Sequence, residues 1–269
     1  MGVANNSGSR WGLRALGLGY LSLLLLAPLV MIFFKAFEDG LAAPIDAITS
    51  PDGLHALKLT LLMVAISVPL NTVFGVGCAL LLVRHKWKGN AVIDAIINLP
   101  FAISPIVIGL SLFLLYGTDG WFGPVLAEAG IKILFSVPGM VLASIFVSLP
   151  FVVRETVPVL QEIGTEQEQA ASTLGANAWQ TFWRVTLPAI RWGVAYGVVL
   201  TTARVLGEFG AVTIVSGSIS GQTQTLPLFV EKQFANFNLP GAYGASILLA
   251  LLALTTLLAM NVLKRKEDA

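Results

Sequence analysis

The sequence is short of nearly everything that chemistry in water uses. Asp, Glu, Lys and Arg make up only 12% of its 269 residues, there is one cysteine, and there are two histidines. Cys78 lies alone in an apolar run, which excludes a disulfide framework and a thiolate metal site. His55 and His85 fall on opposite sides of the predicted spans, so no histidine pair is set up for zinc, and no serine or cysteine stands in a recognisable nucleophile motif. These gaps count against an enzyme acting within the membrane. A net charge of +1 offers nucleic acid no basic face. No glycine-rich phosphate loop ending in Gly-Lys-Ser/Thr occurs, so the chain does not hydrolyse ATP by the usual route.

Apolar length is what the chain has instead, with 56% hydrophobic residues. Crossing the hydrocarbon takes about 20 mostly apolar residues. Six runs qualify, at 12–34, 57–83, 92–115, 137–155, 188–213 and 243–263, and together they read as one all-α membrane domain over residues 1–269. The first is longer than the apolar core of a signal peptide, and "LAPLVMIFF" lacks a small-residue cleavage site, so it reads as a retained helix. Lys and Arg outside the spans set the orientation. One side carries Arg10, Arg14, Arg84, Lys86, Lys88, Arg154, Arg184, Arg191, Lys264, Arg265 and Lys266; the other has only Lys35, Lys58, Lys132 and Lys232, mixed with Glu38, Asp39, Asp46 and Asp52. Six transmembrane helices with both termini cytoplasmic follow.

The stretch "TEQEQAASTLGANAWQTFWRVTLP", Thr165 to Pro188, does not belong in lipid. Thr165 with Glu168 three residues on reads as a capping box, and Glu166 and Glu168 suit the positive end of a helix dipole. Gly175 stands where a left-handed residue ends a helix, Asn177 with Gln180 starts another, and Pro188 fits the first turn of the fifth span. The expectation is a bent, water-facing helical hairpin between the fourth and fifth spans, with an apolar stripe of Ala170, Ala171, Leu174, Trp179, Phe182 and Trp183 that needs a cover. Lipid is one candidate. Glu155, Glu162, Glu166 and Glu168 follow one another with no base between them, whereas helices lying on the negative inner leaflet are usually basic. A protein groove is the better partner.

These residues resemble the cytoplasmic signature of binding-protein-dependent ABC transporter permeases: Glu-Ala-Ala, three residues, Gly, nine residues, Ile, one residue, Leu-Pro. Ala170, Ala171, Gly175, Leu187 and Pro188 match, while Gln169 replaces the Glu and Val185 the Ile, with Glu168 one place earlier as the alternative acid. "VPLNTVFG" at Val68–Gly75 and "LPFAISPIVIGL" at Leu99–Leu110 resemble the sulfate and molybdate branch; "ARVLGEFGAVTIVSGSISGQTQTLPLFVE" at Ala203–Glu231 resembles its W-type sulfate/thiosulfate subunits. The resemblance implies a coupling loop at 162–187 that docks on an ATPase through Glu168, Ala170, Ala171, Gly175, Trp179, Phe182, Leu187 and Pro188. It also implies two copies of a cytoplasmic ABC ATPase, a related second permease subunit of the T type, a sulfate-binding protein outside, and a multi-pass place in a bacterial-type inner membrane. ATP and Mg would sit on the ATPase, and this chain would bind no cofactor. A molybdate permease is the neighbouring alternative. An ion-coupled secondary transporter is another, though such proteins usually carry inverted repeats that are not evident here, and it leaves the hairpin without a task.

Arg204 and Glu208 are opposite charges four apart inside the fifth predicted span. Charges at that depth face protein or water and are paired. Two readings stand: an internal ion pair that fixes packing, or an arginine bordering the path of a dianion with the glutamate tempering affinity so that the ion leaves. Gly207 and Gly210 permit a bend there, and Gly193 with Gly197 permits close helix contact. Pro100 and Pro105 break the third span, where Asn71, Thr72 and Ser104 are candidates for meeting the freed carbonyls. Asn71 and Ser104 join Arg204 and Glu208 as candidate path residues. Ser216–Phe229, rich in Ser, Gly, Gln and Thr, reads as an outer loop, either a solvated connector or one dipping back toward the bilayer before Pro227. The resemblance implies that it meets the solute-binding protein.

Overall fold

The structure, a computed structural model, describes residues 7–38, 40, 42–85 and 88–267; Asp39 and Lys86 of the charge pattern lie outside the described residues. The helices in chain order are α1 (Ser7–Phe37), α2 (Ala42–Thr49), α3 (Pro51–Arg84), α4 (Asn90–Ala102), α5 (Pro105–Tyr116), α6 (Gly123–Glu128), α7 (Val137–Ile163), α8 (Glu166–Thr173), α9 (Ala178–Thr181), α10 (Leu187–Leu206), α11 (Gly210–Ser216), α12 (Leu226–Ala235) and α13 (Leu239–Glu267), with no strand among the described residues. Caps explain several starts. α3, for example, opens with Ser50 accepting the Gly53 N–H at 3.1 Å and with Pro51 in its first turn, where a missing N–H costs nothing.

Among the described residues, four helices are long and apolar enough to cross a bilayer: Arg14–Phe37, Pro51–Arg84, Val137–Ile163 and Leu239–Leu258. The third and fifth predicted spans are each broken. α4 and α5 meet at 111°, and the helix running from Ala178 to Leu206 meets α11 at 54°. The first break has a local cause. Ser104 precedes Pro105, and a residue before proline is pushed out of the helical region; it sits at φ −58°, ψ 136°. Pro100 stays buried inside α4, so the two prolines do not act alike. None of the polar groups expected to serve this break is shown doing so, and Asn71 and Thr72 are engaged elsewhere. The Asn71 amide donates to Ile145 O at 3.2 Å and Ser148 Oγ at 2.7 Å on α7, Thr72 bonds its own helix at Val68 O, and the Ser104 hydroxyl makes no cap.

α7 is the central post, with α3 on one side and α10 on the other. A Cβ on Gly75 of α3 would stand 2.6 Å from Val152 Cβ, and one on Gly197 of α10 would stand 2.8 Å from Val152 Cα. One turn away, a Cβ on Gly193 would reach Glu155 O at 2.7 Å. Absent side chains therefore let three backbones close on one valine, as the Gly193–Gly197 spacing implies. Asn71 supplies polar adhesion across the same contact.

The outer segment is the expected loop over 217–225, but part of it is packed into the protein. Thr223, Gln224, Thr225 and Leu226 are buried, and α12 begins within the stretch at Leu226. Its hydroxyls make the burial possible. Thr223 Oγ1 donates to Ser216 O at 2.7 Å, and Thr60 Oγ1 on α3 accepts the Leu226 N–H at 2.8 Å. Side chains read as solvated thus serve as backbone partners in a packed connection.

Candidate functional site

The α7–α10 connection is the water-facing hairpin, built from two kinds of stop and start. Gly164 ends α7 at φ +62° and Gly175 follows α8 at φ +87°, both in the left-handed region. After α8 the Ala176 N–H bonds Ala171 O and the Gly175 N–H bonds Ser172 O, both at 3.0 Å, which satisfies carbonyls that a helix end leaves free. Asn177 and Gln180 form the expected reciprocal cap, at 2.9 and 3.0 Å.

The first predicted cap does not form. Thr165 makes no side-chain bond to the start of α8; its hydroxyl accepts the Gln169 amide at 3.0 Å. Glu168 turns inward. Its Oε2 lies 3.0 Å from Arg84 Nε, and its Oε1 accepts Arg84 Nη2 at 3.1 Å and Thr186 Oγ1 at 2.8 Å. The guanidinium gives the carboxylate a charge-assisted hydrogen bond from Nη2 and an ionic contact at Nε, which a lone backbone amide does not match. Pro188 lies in the first turn of α10 as expected, yet α10 is not a fresh start. Residues Phe182–Thr186 form a π turn, with the Leu187 N–H reaching Phe182 O, that joins α9 to α10. A wide turn absorbs a proline that donates no hydrogen bond and crowds the carbonyl four residues earlier.

The predicted coupling residues divide into two faces. Outward lie Ala170, Gly175 and Pro188 with Trp179, which is 70% exposed; Leu174 at the tip is 89% exposed. Trp183 joins them, its ring edge-on to Trp179 at 5.5 Å. Inward lie Phe182 and Leu187, packed on the cluster around Val153, Leu160 and Ile190, along with Glu168; Ala171 is half-buried. Sequence reasoning missed Arg84 and Thr186 as the partners of Glu168. Arg84 entered only as an inner-side charge, because nothing local links residues 84 and 168.

The second constellation sits at the break of the fifth span. Arg204 is in the last turn of α10 and Glu208 lies between the halves, with Arg204 Nη1 2.5 Å from Glu208 Oε2. The other carboxylate oxygen accepts the Ala211 N–H at 3.0 Å, satisfying a free amide at the start of α11. Each charge also complements the helix end it adjoins. The pair was expected on one helix face with Gly207 and Gly210 permitting a bend, and it straddles a kink at those glycines. Exposure separates the partners, at 28% for the Arg204 side chain and 2% for that of Glu208. Glu208 faces a small enclosed gap with Thr60, Ser144 and Thr225, so it points into this chain's own core.

The two breaks adjoin. A Cβ on Gly210 would stand 3.1 Å from Pro105 Cβ, and one on Gly109 would stand 2.7 Å from Ala211 O. Exposed Ser104 therefore lies in the same neighbourhood as the Arg204–Glu208 kink, while Asn71 is enclosed between α3 and α7.

Comparison with known proteins bears on the chain as a whole. Residues 71–268 match the family described as "Binding-protein-dependent transport system inner membrane component". The chain is 54% identical over 254 residues to a protein of Synechocystis sp. named "Sulfate transport system permease protein CysW", covering 94% of this chain and 92% of that one. It is 36% identical over 247 residues to the Escherichia coli (strain K12) "Sulfate transport system permease protein CysT", covering 92% and 89%. A bacterial alginate ABC transporter, solved in complex with an alginate pentasaccharide-bound periplasmic protein, superposes with a TM-score of 0.80 over 98% of this chain and 97% of that one, at 20% identity, a likeness of fold. The hairpin and the kinked span both fall within the matched segment, and the chain belongs to the binding-protein-dependent transport system inner membrane components, the permease subunits of ABC importers.

Proposed function

We propose that this chain forms half of the pore of an ATP-driven importer of sulfate and thiosulfate. The observation that carries the substrate is the 54% identity, along 94% of the chain, to a permease named for sulfate transport. That likeness favours sulfate over the molybdate alternative. Similarity to relatives of both the W and T names supports a pore made with a second, related subunit, the higher identity giving this chain the W role.

Counting each bent pair as one span gives six crossings. Together with the Lys and Arg bias this count supports a topology with both termini and the hairpin in the cytoplasm of a bacterial inner membrane. There the hairpin meets one of two ATPase subunits, each carrying its own ATP and Mg. Leu174, Trp179 and Trp183 form an apolar knob at its tip, the kind of aromatic anchor that dominates docking energetics. Ala170 and Gly175 beside them let a groove wall come close. On the outer side a periplasmic sulfate-binding protein delivers the anion. Broken spans are where membrane transporters place ligand sites, since half-helix ends supply partial charge at depth. The adjoining breaks at Ser104 and Arg204 fit that rule, with Arg204 bordering the path and Glu208 holding it in place.

Reconstitution of the chain with its co-purified partners tests the reading. Uptake of labelled sulfate is expected to require both ATP and the binding protein, with thiosulfate competing. Uptake by this chain alone, driven by a proton or sodium gradient, would contradict it.

A further inference from the structure

Glu168 is the one acid of the hairpin whose side chain is turned into the protein with both oxygens engaged. Its partner Arg84 is the last residue of α3, and the guanidinium does more than neutralise it. Nη1 donates to Leu160 O at 3.1 Å and Nη2 to Gly164 O at 2.7 Å, so the same group also covers carbonyls at the end of α7. Thr186, bonded to the other side of Glu168, belongs to the π turn that leads into α10. One ion pair thus gathers the cytoplasmic ends of α3 and α7, the helix α8, and the entrance to α10. Of these, α3, α7 and α10 are also the helices that close on one another at Val152 in the core.

We propose that Arg84, Glu168 and Thr186 form an internal latch that makes the hairpin rigid with the cytoplasmic end of α3. Chain connectivity ties the hairpin only to α7 and α10. The latch adds α3, so that a push on the Leu174–Trp179 tip moves all three core helices as one body. Glu168 is accordingly a positioning residue and not part of the docking face. Outward-facing Gln169 occupies the signature's acid position, and its amide is spent on Thr165 within the same turn. The proposal rests on the coupling role proposed above, and it goes beyond that role by naming what transmits the force to α3.

The test is a double-mutant cycle of Arg84→Ala, Glu168→Gln and both together, read in two ways. The first reading is amide hydrogen exchange over residues 166–181 in the full chain in detergent, which needs no ATPase. Each single change is expected to speed exchange there by about tenfold while the α3–α7 core stays protected. The second is sulfate taken up per ATP hydrolysed in the assembled complex. This is expected to fall about tenfold in either single variant and no further in the double, because groups acting as a unit are not additive. Arg84→Lys, which keeps one charged donor, is expected to recover part of the loss. Unchanged exchange would overturn the latch. Additive losses, or loss of ATPase co-purification in Glu168→Gln but not in Arg84→Ala, would also overturn it by making Glu168 a docking residue. Should wild-type uptake ignore ATP, the parent reading falls together with the force-transmitting role, and exchange alone still decides whether the contact orders the hairpin.

Discussion

Arg204→Ala is expected to be the most damaging single substitution in the membrane region, and to fail in two separable ways. Glu208 is buried with a 2.5 Å ionic partner, and removing that partner leaves an uncompensated charge in the core. Breaking a buried pair from one side typically costs about 3–5 kcal/mol, enough to cut the yield of folded chain severely. The second failure is in transport. In the fraction that folds, uptake is expected to drop by roughly 100-fold, equivalent to about 2.7 kcal/mol on the barrier. Replacing both residues by methionine separates the two effects, since an apolar pair of similar volume often restores or improves stability where a lone charge destroys it. The double variant is expected to fold and assemble yet to remain deficient in uptake. Recovery of uptake along with folding would reduce the pair to a packing device.

Gly175→Pro is expected to uncouple the transporter while leaving insertion intact. Gly175 stands at φ +87° and donates its N–H to Ser172 O. Proline is fixed near −65° and has no N–H to give, so it satisfies neither requirement. The turn between α8 and α9 must then re-form, which displaces Leu174 and Trp179. Nothing in the α3–α7–α10 core contacts this position, where a Cβ would meet no atom within 4 Å. Sulfate transported per ATP hydrolysed is expected to fall by roughly 100-fold, as a small misplacement of a working constellation commonly costs. Gly175→Ala is expected to lie between: it fits the space but pays about 1–2 kcal/mol for a left-handed backbone.

The sequence made the membrane class legible because apolar length is a local property. Asn177, Gln180 and Gly175 were legible for the same reason, since each acts on backbone groups within four residues of itself. Glu168 was misread on that very principle. Its spacing from Thr165 fits a cap, but a guanidinium brought in by the tertiary fold outcompetes the local amide. In Ser216–Phe229 the loop was legible but its burial was not: composition reads Ser, Gly, Thr and Gln as solvated, whereas burial follows from the partners that Ser216 and Thr60 supply. At Arg204 and Glu208 the pairing was visible and Gly207 and Gly210 permitted a bend, but what forces the bend was not visible. A spacing of four describes a continuous helix, and the bend follows from Glu208 capping α11 instead of continuing α10. Phe182 illustrates the limit of a periodic stripe. It shares helical spacing with Trp179 and Trp183, but the π turn rotates it into the core.

The central claim is that the hairpin works against a separate ATPase, and site-directed cross-linking tests it most directly. A photoreactive or short thiol cross-linker at Trp179→Cys, in membranes containing the whole complex, should join this chain to an ATP-binding subunit both with and without nucleotide. The yield should change between the two states as the lever shifts. Cross-links to lipid alone in every nucleotide state would contradict the account.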